Sequence, residues 1–286
     1  MSKTIKLHFI ENFSEGATQN QFEAINKIFE LTSPEECDVI FLGSVAKLSS
    51  ALELKKQFPD KPMVTYCWDY YKWAHEGKNR SYSWGKYADF LKECALVLVP
   101  SDGQKLRLKE LLGINAVVCE CSVDFYDHKY KVMDKGYVLD PVRDYPEENL
   151  GWVQRACEEL GIHYIHSEHG FTEEQFRKLV DECTFMTCGY REASTGGLSL
   201  MEGLYNGKIS LVSNSPYMGA KNYLQGLGFY FQYDDFKDLK EKIKDLWDNR
   251  YKLGLKTARG HCAYFTHDAF ADRLYKNILC VLNKNY

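Results

Sequence analysis

The sequence predicts an α/β protein made of two Rossmann-like, doubly wound domains. Three observations carry that expectation. Short apolar runs alternate with segments of helical period; the alternation halts at a polar stretch and then restarts; and 286 residues exceed the usual span of one domain.

In the first half, TIKLHFI (4–10), DVIFLG (38–43), PMVTYC (62–67), ALVLVP (95–100) and AVVCEC (116–121) read as strands. QNQFEAINKIF (19–29), KLSSALELKKQF (47–58) and GQKLRLKELLG (103–113) read as helices between them. Continuous apolar strands separated by helices indicate a parallel sheet covered on both faces. After DFYDHKYKVMDKG (124–136) come the strands GYVLDP (136–141), IHYIH (162–166), TFMTC (184–188), ISLVS (209–213) and GFYFQY (228–233). Helices are expected at 147–160, 172–182, 198–206 and 236–248. The division is therefore 1–132, 133–266, and a final helical segment 267–286 that either caps the second domain or crosses back to the first. Two such domains facing a central cleft bring the carboxyl ends of both sheets around one ligand site.

Composition narrows the function classes. Apolar residues make up 45% of the chain and aromatics 14%, a globular balance. No apolar run approaches the eighteen or more residues that a membrane span needs, and the N-terminus lacks the pattern of a signal peptide. Ten cysteines without an export signal suggest free thiols and a cytoplasmic protein, of a bacterium or of a virus-infected cell. Cys119 and Cys121 could be a metal pair, but no matching pair follows, and no metal site is expected. A net charge of −4 with interspersed signs gives no field for nucleic acid, which is disfavoured without being removed. Oligomeric state is not readable.

The stretch REASTGGLSLMEGL (191–204) is the most informative. A strand, TFMTC, leads through a polar loop into a helix that starts on bare backbone. Thr195, Gly196 and Gly197 then place unsatisfied N–H groups and the positive helix end where a phosphate would fit. Glu202 interrupts an otherwise apolar helix, and a carboxylate there needs a hydrogen-bond partner, which a ribose diol would supply. Neither a GxGxxG after the first strand nor a Walker loop is present.

The stretch Glu192–Ser213, followed by NSPYMGAKNYLQGLGFYFQYDDFKDL (214–239), resembles retaining glycosyltransferases of the GT-B fold, in the large family that includes sucrose synthase and many bacterial mannosyl- and glucosyltransferases. LVPSDGQKLRLKELLGINAVVCECSVD (98–124) is similar to the family's last N-terminal-domain segment, ending in an aspartate at the domain junction. DPVRDYPEENLGWVQRA (140–156) is similar to the first strand and donor loop of its second domain. The resemblance implies retaining transfer from a UDP- or GDP-linked sugar to a hydroxyl of a glycan or other small acceptor. It assigns Glu202 to the donor ribose, Thr195, Gly196 and Gly197 to the distal phosphate, Glu192 to the donor sugar, and Arg143 to the pyrophosphate charge that grows as the leaving group departs. His169 would line the base pocket or simply sit in a loop before the Thr172 helix cap. No Asp-x-Asp motif argues for a divalent ion, and no cofactor beyond the donor is implied.

The chain departs from the family pattern in three places. Nine residues separate Glu192 from Glu202 where the family has seven, so either the loop is longer or Ser194 takes the acid's place. Glu148 stands where the family has a lysine, and Lys208 or Lys221 could compensate. Trp68 stands where the family has a histidine that touches the donor sugar, which suggests a smaller sugar such as a pentose, or else a core tryptophan. Asp69, with Tyr70, Tyr71 and His75, follows at a strand's carboxyl end and suits acceptor contact. Gly16, in the first strand-to-helix loop, would let a ligand approach backbone. Two other readings stand beside this one: a non-catalytic nucleotide or carbohydrate binder on the same fold, and a transferase acting on modified DNA bases. A phosphorylase or epimerase on the same fold is less well supported by the residues.

Overall fold

The computed structural model describes residues 4–10, 17–68, 70, 83–126, 134–141, 151–167, 171–188, 197–252 and 258–284. The chain divides into two compact units, one of residues 1–123 with 265–286 and one of residues 124–264. The sequence-based divisions at 132/133 and 266/267 fall nine and two residues downstream of these.

Unit 1 holds a six-stranded sheet in which every pairing is parallel. Its elements are β1 (Lys6–Ile10), α1 (Ala17–Ile28), β2 (Glu30–Leu31), β3 (Val39–Leu42), α2 (Leu48–Gln57), β4 (Met63–Tyr66), α3 (Trp84–Glu93), β5 (Leu96–Val99), α4 (Asp102–Leu112) and β6 (Val117–Val118). The helix α11 (His267–Lys284) belongs to this unit too. The strand order is β2-β1-β3-β4-β5-β6, so the winding reverses between β1 and β3. All residues of β3 and β4 are buried, as sheets covered on both faces require. The helix α4 shows how local sequence sets the boundaries. Ser101 accepts the Gln104 amide at its start, and Gly113, in the left-handed region at φ 70°, ends it.

Unit 2 holds β7 (Val138–Asp140), α5 (Trp152–Leu160), β8 (Tyr164–His166), α6 (Glu173–Glu182), β9 (Phe185–Thr187), α7 (Leu198–Tyr205), β10 (Ser210–Ser213), α8 (Ala220–Leu224), β11 (Phe229–Phe231), α9 (Phe236–Asp248) and α10 (Ala258–Cys262). Its five-stranded parallel sheet has the order β11-β10-β9-β7-β8, and here the winding reverses between β7 and β9. The core under this sheet includes Val138, Phe185, Leu211, Ile243 and Leu246.

The structure corrects the sequence reading at several elements. The strand expected over 116–121 stops at Val118 after one further ladder bond from the Cys119 amide to Val99, because the Tyr66 hydroxyl takes the Cys119 carbonyl at 2.5 Å. The strand β2 and the helices α3, α8 and α10 are additional. Among the described residues, no helix is long and apolar enough to cross a membrane.

Candidate functional site

In open parallel sheets, ligands bind outside the carboxyl ends of the strands where the winding reverses. In unit 2 that place lies between the ends of β7 and β9, so the chain leaving β7 after Asp140 and the chain leaving β9 after Thr187 are the segments positioned for a ligand. Arg143 falls in the first, and Glu192, Thr195 and Gly196 fall in the second; all four lie outside the described residues, as do Asp69, His169 and Gly16. Gly197, Glu202 and Lys221 are described.

Gly197 is the N-cap of α7, and among the described residues no side chain caps the helix. The first-turn amides of a helix have no intrahelical acceptor, so α7 presents backbone donors on its positive end. A side chain at Gly197 would be tight: a Cβ there would stand 3.0 Å from the Tyr223 ring and 3.4 Å from the Ala220 Cα, both on α8, so the ring would have to give by a few tenths of an ångström. The close approach of α8 is therefore the packing reason for a glycine at this cap.

Glu202 lies one turn further along α7 and is half-buried. Its neighbours Leu200, Met201, Gly203 and Leu204 are buried. Among the described residues, no hydrogen bond or ion pair reaches its carboxylate. Burial pushes its pKa up to about 8; Arg177 opposes the shift, while Asp124 and Glu173 reinforce it. Near neutral pH the group thus holds a proton, and can donate as well as accept.

Around it the fold collects residues that the motif reading did not single out. Arg177 of α6 pairs with Glu173 one turn earlier and with Asp124 at 3.5 Å, and its guanidinium stacks on the Tyr126 ring at 4.4 Å. The Tyr126 hydroxyl faces the Arg177 carbonyl at 3.3 Å and an Asp181 carboxylate oxygen at 3.4 Å. Burial raises the Tyr126 pKa, with Asp181 and Glu202 adding to it. Phe125 stacks on Tyr205 of α7 at 4.8 Å, and Arg259 covers the same ring at 4.6 Å. The segment 124–126 therefore ties α6 to α7, the helix that carries Glu202. The sequence held one clue, the i,i+4 spacing of Glu173 and Arg177.

The two lysines considered as substitutes for a phosphate clamp have different fates. Lys221 of α8 donates to the Asn214 side chain at 2.9 Å, just beyond the carboxyl end of β10. Lys208 is buried at the opposite end of the sheet and donates to the Cys183 carbonyl at 2.6 Å, so it is unavailable to a ligand at the carboxyl edge. Near Asn214 an open groove of about 420 Å³ is lined by Tyr230, Gln232, Asp235 and Asp238. It contains none of the residues singled out in the sequence. In unit 1, Trp68 donates its indole N–H to the Gly43 carbonyl at 2.9 Å and tilts against Tyr66 at 4.7 Å.

The two-sheet α/β architecture is the fold of the GT-B glycosyltransferases. The chain is similar to HepE of Anabaena, solved with UDP and glucose, at a TM-score of 0.73 and 12% identity over 96% of this chain and 100% of that one. It is similar to a glycosyltransferase of Rickettsia africae at 0.65 and 13%, over 99% of both chains. A sucrose-phosphate synthase of Thermosynechococcus elongatus aligns at 0.67 and 11%, over 85% of this chain and 74% of that one. The chain matches no protein-family model, and no curated protein matches it significantly.

Proposed function

We propose that the chain transfers a glycosyl group from a nucleoside-diphosphate sugar to a hydroxyl acceptor, with retention of the anomeric configuration. One observation carries the reading. Glu202 is a half-buried carboxyl without a partner among the described residues, on the helix that follows the winding reversal of unit 2. A ribose diol supplies the missing hydrogen bonds, and the start of α7 receives the phosphate. HepE of the same fold has been solved with UDP-glucose and with UDP and glucose, which supports a UDP donor.

In this reading Arg143 and the backbone of 195–197 stabilise charge on the departing diphosphate, and Glu192 holds the donor sugar. The acceptor attacks from the face on which the diphosphate leaves, and the leaving phosphate takes the acceptor proton. No divalent ion enters these steps. Trp68, spending its N–H on Gly43, offers no polar contact to a distal sugar hydroxyl, which suits a pentose donor. The acceptor is a small or glycan hydroxyl.

Calorimetric titration with UDP, GDP and ADP tests the proposal. We expect one diphosphate to bind, and Glu202→Ala to weaken it at least about tenfold, or about 1.4 kcal/mol. Absence of binding to folded protein would overturn the donor site. Binding without turnover of UDP-xylose or UDP-glucose would instead favour a non-catalytic binder, a reading supported by Glu148 in place of the clamp lysine.

A further inference from the structure

The carboxyl edge of the unit 1 sheet carries its own unexplained group. On α1, Gln21, Ala24 and Ile25 are buried at the spacing of a sheet-facing stripe, and the latter two are ordinary core residues. Gln21 is 2% exposed, yet among the described residues neither its Oε1 nor its Nε2 has a hydrogen-bond partner. Among the described residues no other side chain has two such atoms; Gln104, the nearest parallel, spends its amide nitrogen on the Cys67 sulfur. A buried carboxamide with both atoms unpaired forfeits its hydration without return, and a methionine or leucine of similar volume would not.

Its location gives the unpaired amide a use. The Gln21 oxygen lies 3.3 Å from where a Cβ on Gly43 would stand, and Gly43 directly follows β3. The winding of this sheet reverses between β1 and β3, so Gln21 sits at the unit's ligand-binding edge. The same edge carries the Gly43 carbonyl and the half-buried Trp68 ring bonded to it.

We propose that the Gln21 carboxamide recognises the accepting sugar, binding two neighbouring hydroxyls of a neutral pyranose at the carboxyl edge of unit 1. The amide presents one acceptor and one donor side by side. Two adjacent hydroxyls match it, one donating to Oε1 and one accepting from Nε2. A phosphate, which only accepts, would leave Oε1 unpaired; an ammonium would leave Nε2 unpaired. Because the side chain has no hydrogen bond to break, turning toward an arriving ligand exchanges unpaired atoms for paired ones. The identification of the sugar as an acceptor rests on the glycosyl-transfer reading above.

The test uses the full chain with Gln21→Met, which matches the side chain in length, and Gln21→Leu as a second variant. Binding of the methyl α-glycosides of glucose, galactose and mannose is followed by ligand-observed NMR, with and without UDP, and UDP affinity is measured separately. We expect at least one glycoside to bind and each variant to weaken it about tenfold or more. UDP affinity should be unchanged, and the thermal midpoint of the unliganded variants should rise. Unchanged glycoside affinity in the variants, or no glycoside binding by the folded wild type, overturns the proposal. A matching loss of UDP affinity also overturns it by placing Gln21 on the donor. If UDP fails to bind but a glycoside binds through Gln21, the donor reading falls and Gln21 remains a sugar-recognition residue.

Discussion

Glu202 links the sequence to a measurable titration. Its carboxyl pKa is raised from 4.5 to about 8, first by burial. The folded state therefore keeps its proton where the unfolded state has lost it, and this contribution to stability is present below about pH 4.5 and disappears as the pH rises toward 8. We expect Glu202→Gln, which cannot ionise, to be more stable than the wild type above pH 8 in urea unfolding, with the difference vanishing near pH 4. A parallel pH dependence in both proteins would show that the carboxyl titrates normally. Glu202 was legible because a lone acid in an apolar helix must be explained. Arg177 and Tyr126 were not, since on their own segments they read as surface positions and only the packing of 124–126 against α6 brings them together. The unpaired state of Gln21 was equally hidden, because a sequence shows that a polar residue falls on a core stripe but not whether anything answers it.

At the scale of elements, the strand and helix alternation was readable because parallel strands buried on both faces are continuous apolar runs. What escaped lacked that signal. The strand β2 is two residues long and exposed, and α8 and α10 have five residues each, too few for a period to show. The ninth-decade helix α3 has a clear buried face, Trp84, Tyr87, Ala88 and Leu91, but its start adjoins residues that read as an aromatic loop. Glycine placement was partly legible as well. Gly203 lies inside α7, where alanine has the higher helix propensity, yet a Cβ there would stand 2.0 Å from the Met186 sulfur of β9. We expect Gly203→Ala to destabilise the chain by about 1–3 kcal/mol in denaturant unfolding. Combined with Met186→Ala, which is destabilising alone at a fully buried site, it should cost less than the sum of the two single changes; a stabilised Gly203→Ala variant would show that α7 packs more loosely on β9.

For the whole molecule, the decisive feature is that unit 1 is discontinuous in sequence. The helix α11 buries Phe270, Leu274 and Ile278, pairs Lys27 with Asp268 at 2.8 Å, and brings Arg273 to the Glu120 carbonyl at 2.9 Å. Each large apolar side chain is worth about 1.5–3 kcal/mol of burial, so unit 1 depends on this helix for a substantial part of its core. We expect a chain truncated after residue 264 to lose cooperative unfolding of unit 1 while residues 124–264 keep theirs, as read by hydrogen exchange. Retained protection in β1, β3 and β4 would show that α11 is dispensable. The sequence left open where this last helix belongs, because its apolar stripe fits either sheet and only the contact with α1 decides.

Where the chain crosses between units, the Val123 amide bonds the Phe265 carbonyl at 2.8 Å, so both crossings lie side by side on unit 1. Unit 2 is thus an insertion, and the contact from Lys27 to Asp268 spans 241 positions. On the ribosome this order matters. Unit 2 can close as soon as its own residues have emerged, whereas the earlier-made sheet of unit 1 must wait, without α11, until residues 267–284 have been made. Unit 1, begun before unit 2, is therefore completed after it, and the α1 face that α11 covers stays exposed during that interval.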